Sequence, residues 1–333
     1  VTGNQTLWQE YHRPDTVEAA LALLAQHDGR ARVVSGGTDL LLEMQQGHKP
    51  PIEALVDVTS IAGMNHIGQH DNWIEIGAAV PHTQIVKSGL IRQQATCLVE
   101  SCGVIGGPQV RNVATLGGNV AHALPAADGT TALVALNAEA EVAGASGRTW
   151  RPILSLFKGP GKSAVDQSRE LITRFRFPAQ QPGEGTAFKR IMRPQGVALP
   201  ILACAVWVKV ENNTQLSVTN LQSPISNLQS PITDVPSDNP QSPIIEARIC
   251  IGPVRPVPRR ADQAEVALTG RTLAEALDDC VAAAQREFSP RTSKHRATAE
   301  YRVEMIEVLL RRALPLAVRR AITGEAIPEG LGL

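Results

Sequence analysis

The spacing of apolar positions changes several times along this chain, and each change predicts an element. From Asp15 the period is helical: Val17, Ala20, Leu21 and Leu24 fall on one face. Asp15 with Glu18 three residues on reads as a capping box, Asp15 being the N-cap, and Gly29 supplies a stop. Short apolar runs at Ala31–Val34 and Glu53–Val58 predict strands on either side of a helix beginning over Leu40–Met44. Further on, Trp73–Ala78, Glu139–Val142 and Leu171–Phe177 read as strands and Thr83–Ser88 as a helical turn. Asp128 opens a helix through Leu136 that carries Leu133 and Val134. The Pro- and Gly-bearing stretch Pro178–Gly185 punctuates the chain. After it, Ile201–Val210 and Ile245–Ile251 predict a buried hairpin pair. The remainder from Ala261 is helical, with Tyr301, Met305, Val308 and Leu309 forming the stripe of the last helix.

These elements divide into segments 1–58, 59–180 and 186–325, as expected for 333 residues, more than one ordinary core accommodates. Residues 212–244 form a low-complexity insert. Asn-Leu-Gln-Ser-Pro-Ile occurs at 220–225 and 227–232, and Gln-Ser-Pro-Ile returns at 241–244. Its prolines exclude a regular helix; it is either a docking loop or, as favoured here, a tolerated hairpin extension.

Charge narrows the function classes. Lys plus Arg and Asp plus Glu both total 32, so no global field draws nucleic acid or an anionic membrane. The longest apolar stretch, Ile201–Val208, is far short of a bilayer span, and the polar Val1–Gln9 has no signal-peptide core. A soluble, cytoplasmic protein is expected. Cys97, Cys102, Cys204, Cys250 and Cys280 contain no C-x-x-C pair and read as free thiols; neither a metal nor an iron–sulfur site is expected within the chain.

Two glycine-rich loops carry the candidate chemistry. Val33-Val34-Ser35-Gly36-Gly37-Thr38-Asp39-Leu40 leaves a strand and enters a helix, where backbone amides and a helix N-terminus can point at phosphate. It is neither a Rossmann nor a Walker loop, and by itself it fits a plain turn as well. The second, Gly106 to Asn119, offers two Gly pairs, Arg111, Asn112 and Thr115. Two such loops can grip a diphosphate from both sides. Asp128 follows, either as a partner for ribose hydroxyls, as the N-cap of its helix, or both.

The stretch 105–128, IGGPQVRNVATLGGNVAHALPAAD, resembles the second FAD-binding signature of the medium subunits of the xanthine dehydrogenase and carbon monoxide dehydrogenase family, and SGGTDLLLEM at 35–44 resembles the first. Tyr11-x-Arg-Pro, Leu171–Pro178, Ala187-Phe188-Lys189, Gly252–Pro256 and Ala299–Arg302 extend the likeness over nearly the whole chain. The resemblance implies an α+β fold: a two-subdomain FAD-binding module of the p-cresol methylhydroxylase and vanillyl-alcohol oxidase type, then a C-terminal domain of antiparallel sheet plus helices. Carried over by position, Val33, Val34, Ser35, Gly36, Gly37, Thr38, Asp39 and Leu40 would hold the diphosphate from one side, and Thr115, Leu116, Gly117, Gly118 and Asn119 from the other. Ile105 would line the flavin site. Asp128 would meet the ribityl or nearby polar atoms. Leu171 and Ile172 would offer backbone contacts near the ring, with Lys189 near it and Arg193–Pro200 at its other edge.

The chain departs from the pattern at Pro194 and Val197, where many relatives carry Arg-Arg and then Asp. It departs again around Ser293, Lys294 and His295, where many carry an Asp before the position of Arg296. The resemblance implies an electron-transfer subunit of a molybdenum-containing hydroxylase. It would take electrons from a [2Fe-2S] small subunit, beside a molybdopterin large subunit, in a dimer of heterotrimers, and pass them to an external acceptor. No catalytic nucleophile or base of its own is then needed, and His82 and His122 read as structural or solvent-facing. Two alternatives stand beside it: a self-contained flavin reductase or oxidase on the same fold, and an assembly subunit without FAD.

Overall fold

In the computed structural model, residues 6–193, 199–211, 242–293 and 296–330 are described. The strand–helix alternation of the N-terminal segment gives β1 (Trp8–His12), α1 (Val17–Gln26), β2 (Ala31–Val34), α2 (Leu40–Gln45) and β3 (Ile52–Asp57). The three strands form a parallel sheet in the order β1-β3-β2. Helix α1 buries Val17, Ala20 and Leu24. Its N-cap is Thr16, not Asp15: Thr16 Oγ1 accepts from the Ala19 amide at 3.1 Å. Two cap-forming residues stand side by side here, and the hydroxyl takes the role. The Tyr11-x-Arg-Pro motif closes on the end of β3. Asp57 accepts from Tyr11 Oη at 2.6 Å and sits 3.3 Å from Arg13 Nε.

The middle segment folds as β4 (Ile67–His70), β5 (Trp73–Gly77), the helices α3 (His82–Lys87), α4 (Gly89–Gln94), α5 (Thr96–Gly103), α6 (Pro108–Arg111), α7 (Leu116–Ala121) and α8 (Asp128–Ala135), and then β6 (Glu139–Gly144), β7 (Gly147–Pro152), β8 (Phe157–Gly159), β9 (Lys162–Ser163) and β10 (Leu171–Pro178). Its five-stranded antiparallel sheet runs β4-β5-β10-β6-β7. The period-two alternation of β10 explains its central place. Phe175 and Phe177 are fully buried, whereas Arg174 and Arg176 face outward to Glu75, Glu141 and Glu139. The Arg176 guanidinium stacks 4.4 Å from the Trp73 ring and 4.0 Å from that of Trp150.

The last segment is an antiparallel sheet, β11 (Glu184–Ile191), β12 (Leu202–Val210) and β13 (Ile244–Gly252), followed by α9 (Asp262–Leu268), α10 (Leu273–Glu287) and α11 (Ala299–Thr323). Alternation on β12 serves two cores. Ala203, Ala205 and Trp207 join the core of the preceding segments, and Leu202, Cys204, Val206 and Val208 join the core under α9–α11. The sheet is thus covered on both faces, which accounts for its continuous apolar reading. Helix α11 buries Arg302, Ile306, Leu309, Leu310 and Ala313, so its inner stripe lies about one residue from the expected one, with Tyr301 exposed. The repeats at 220–225 and 227–232 lie outside the described residues. The architecture is α+β, ending in antiparallel sheet plus helices. Among the described residues no helix is long and apolar enough to cross a membrane.

Candidate cofactor site

A cleft of about 1000 Å3 opens where the first parallel sheet meets the middle segment. Its walls come from the β2–α2 turn, from residues 105–119, from the start of β10, and from Asp128 and Arg190. Of Val33–Leu40, Ile105, Thr115–Asn119, Asp128, Leu171, Ile172 and Lys189, all line this cleft except Leu116 and Lys189; of the described residues in 193–200, Leu199 lines it.

The first wall is an open amide jaw. After Val33, whose amide donates to the Gln167 carbonyl at 3.3 Å, the amides of Ser35, Gly36, Gly37, Thr38 and Asp39 engage no acceptor among the described residues. They lead into α2, so the helix end adds positive potential at the same place. Ser35 Oγ is buried there without a partner among the described residues. Gly36 has a further reason to lack a side chain: a Cβ would fall 2.1 Å from the Val113 carbonyl oxygen. This glycine lets the two walls touch at the floor of the cleft.

The second wall differs from expectation. Its amides are already engaged: Leu116 donates to the Val80 carbonyl at 3.1 Å, Gly117 to the Ala78 carbonyl at 2.9 Å and Gly118 to Thr115 Oγ1 at 3.1 Å. Leu116 turns wholly into the core. Asn119 Oδ1 accepts from the Thr130 amide at 3.1 Å and so ties α7 to α8. Arg111 donates to the carbonyls of Ile105 and Gly106. The loop read from sequence as open is therefore two short helices, braced internally, that give the cleft shape more than donors.

Asp128 is the first residue of α8 rather than its N-cap, which is Ala127. Its Oδ2 accepts from Arg190 Nη1 at 2.7 Å, while its Oδ1 is buried with no partner among the described residues. Burial pushes this carboxyl up to about 6, despite the opposing pull of Arg190. Lys189 does not reach the cleft. Neighbours on a strand face opposite ways, so Arg190 points in and Lys189 points out, its Nζ 2.6 Å from Glu329 Oε2. Arg190 is the site residue missed in the sequence.

Ile105, Leu171 and Ile172 line the apolar part, and Leu199 stands at the rim, 57% exposed. The neighbouring departures at Pro194 and Val197 lie outside the described residues, as do Lys294 and His295. His82 and His122 both line the cleft. His82 is buried rather than solvent-facing, and its Nδ1 has no partner among the described residues. Burial, with Arg111 adding repulsion, lowers it to about 4, so it stays neutral.

The donors and acceptors left over suit a dinucleotide. Free amides and a helix start suit phosphate, an orphaned carboxyl oxygen suits a ribityl or ribose hydroxyl, and Ile105, Leu171 and Ile172 suit a flat apolar ring. Fold and cleft together define an FAD-binding module of the p-cresol methylhydroxylase type. Residues 6–180 match the family described as FAD binding domain in molybdopterin dehydrogenase, and residues 238–317 match the CO dehydrogenase flavoprotein C-terminal domain. The chain is 28% identical to the xanthine dehydrogenase FAD-binding subunit of Escherichia coli O157:H7, over 93% of this chain and 96% of that protein. It is also 28% identical to the carbon monoxide dehydrogenase medium chain of Afipia carboxidovorans, over 94% and 97%. A solved carbon monoxide dehydrogenase chain from Hydrogenophaga pseudoflava superposes with a TM-score of 0.79 at 28% identity, covering 94% of this chain and 98% of that one. The chain belongs to the family of FAD-binding medium subunits of molybdenum hydroxylases of the xanthine and carbon monoxide dehydrogenase type, and is a flavoprotein subunit of an oxidoreductase.

Proposed function

We propose that this subunit carries electrons, through its FAD, from a [2Fe-2S] small subunit to an external acceptor. Beside them a molybdopterin large subunit oxidises the organic substrate, in a cytoplasmic dimer of heterotrimers. The observation that carries this reading is the end-to-end match, in both sequence and fold, to proteins named as FAD-binding subunit and medium chain. All five cysteines are free, buried thiols, in keeping with a reducing compartment.

FAD supplies the exchange between paired and single electrons, and the chain supplies binding and a polarised surround. The amides of residues 35–39 hold phosphate at one end of the cleft. Asp128, kept in place by Arg190, accepts a hydroxyl hydrogen with its free oxygen. Gly37, Thr38, Thr115 and Gly118 shape the middle, and Leu171 and Ile172 keep water from the ring.

The test is to purify the full chain, record its flavin spectrum, and mix it with dithionite-reduced [2Fe-2S] partner under argon. Bleaching of the flavin by the reduced partner is expected, with no turnover of organic substrates by the chain alone. A chain that purifies without flavin, or one that oxidises a substrate unaided, would overturn the proposal.

A further inference from the structure

A second cluster of ligand atoms lies on the N-terminal sheet, outside the lining of the FAD cleft. Glu10 and His12 are two residues apart on β1 and therefore share a face. His27, at the C-cap of α1, comes up beside them. Glu10 Oε2 lies 2.8 Å from His12 Nε2 and 3.7 Å from His27 Nε2, and one ligand atom from each of the three residues lies within 4.8 Å of the other two.

His27 is the telling member. Its ring is buried, 3% exposed, yet Nε2 has no hydrogen-bond partner among the described residues. A buried polar atom left without a partner is costly, so an unmet Nε2 aimed at a carboxylate and a second imidazole calls for something between them. Its other nitrogen is held: Nδ1 is 2.9 Å from Glu53 Oε1, and Arg30 fastens Glu53 from its far side. A proton on Nδ1 shared with Glu53 leaves the Nε2 lone pair facing the cluster. This is the carboxylate–histidine arrangement that orients imidazoles toward metals.

We propose that Glu10, His12 and His27 form a site for a borderline divalent cation of the Zn2+ class, with water completing a four-coordinate shell. Two imidazole nitrogens and one carboxylate oxygen suit that class and not a hard cation such as Mg2+. Tetrahedral bonds of about 2.1 Å place ligands roughly 3.4 Å apart, which Glu10 and His12 meet by small side-chain shifts because both are partly exposed. The bound ion would clip β1 to the end of α1. Cysteine-based spacing could not announce such a site, since its ligands are a strand pair and a helix end.

The test titrates the FAD-loaded full chain with Co2+ as a coloured stand-in and then displaces it with Zn2+. One equivalent giving tetrahedral visible bands is expected, together with a Zn2+-dependent rise in unfolding temperature. His12→Gln and Glu10→Gln, both at partly exposed positions, should abolish the bands while keeping full flavin content. Glu53→Gln should weaken binding about ten- to a hundred-fold. Absence of stoichiometric binding to the wild-type chain, or unchanged bands in His12→Gln, would overturn the site.

Discussion

Arg320, near the end of α11, donates to Glu100 on α5 at 2.7 Å, and both side chains are 1% exposed. Glu100 also accepts from the amides of Phe188 at 2.7 Å and Glu329 at 2.8 Å, and Arg320 from its own side donates to the Thr186 carbonyl at 2.7 Å. One buried pair thus joins the last helix, the first strand of the C-terminal sheet and the layer beneath it. Removing one partner strands the other charge, so Arg320→Met should cost about 3–5 kcal/mol of stability. Denaturant unfolding of wild type and variant measures this; a loss under about 1 kcal/mol would mean the pair is ornamental to stability.

Gly36 permits contact between the two walls of the cleft. Gly36→Ala should push the β2–α2 turn off the Val113 carbonyl and weaken FAD binding by at least about tenfold, a change of ~1.4 kcal/mol. Equilibrium dialysis with FAD checks it, and unchanged affinity would show that the turn yields without cost.

Asp128→Asn should also lower FAD affinity, by about 10- to 100-fold, because a charge-assisted acceptor is lost and Arg190 is left without its counter-ion. In the flavin-free chain the pH trend has a defined sign. The folded pKa is raised from 3.8 to about 6, so the contribution of Asp128 to stability is full below 3.8 and is lost as pH rises through about 6. Stability curves for the apo variant should lack that fall.

His82 acts in the opposite sense. Its folded pKa is lowered from 6.5 to about 4, so its contribution is present above 6.5 and is lost as pH falls towards about 4. His82→Gln should flatten this acid limb, seen as urea midpoints that change less between pH 7 and pH 5 than those of wild type.

Lys189→Met should leave FAD affinity within about twofold of wild type, since the ammonium pairs with Glu329 away from the cleft, and should change stability by no more than about 1 kcal/mol. A flavin spectrum altered by this change would return Lys189 to the site.

The glycine loops were legible because the order Gln109-x-Arg111-Asn112-x-Ala114-Thr115-x-Gly117-Gly118-Asn119 is long and specific, whereas the first loop alone reads as a common turn, and most strands were legible from their apolar runs. Arg190 was not. Strand alternation separates it from Lys189 but does not say which of the two faces inward, a choice made by α8 and α11 packing on opposite sides of the sheet. Burial of Arg302 and Arg320 was hidden for a related reason: Arg reads as surface until a buried acceptor is placed beside it. Thr16 against Asp15, and Ala127 against Asp128, were one-residue ambiguities at helix starts.

The lining of the cleft includes residues from 33–40, from 105–128, from 158–172 and Arg190, regions remote from one another along the chain. A flavin seated among them works as a rivet, and global unfolding must expel it. The holoprotein should therefore outlast the freshly synthesised, unloaded polypeptide by an amount that grows with the cell's supply of free FAD, about 2.7 kcal/mol at a hundredfold excess over Kd. Flavin starvation would then show first as proteolytic loss of this subunit, before any deficit in the chemistry of its partners.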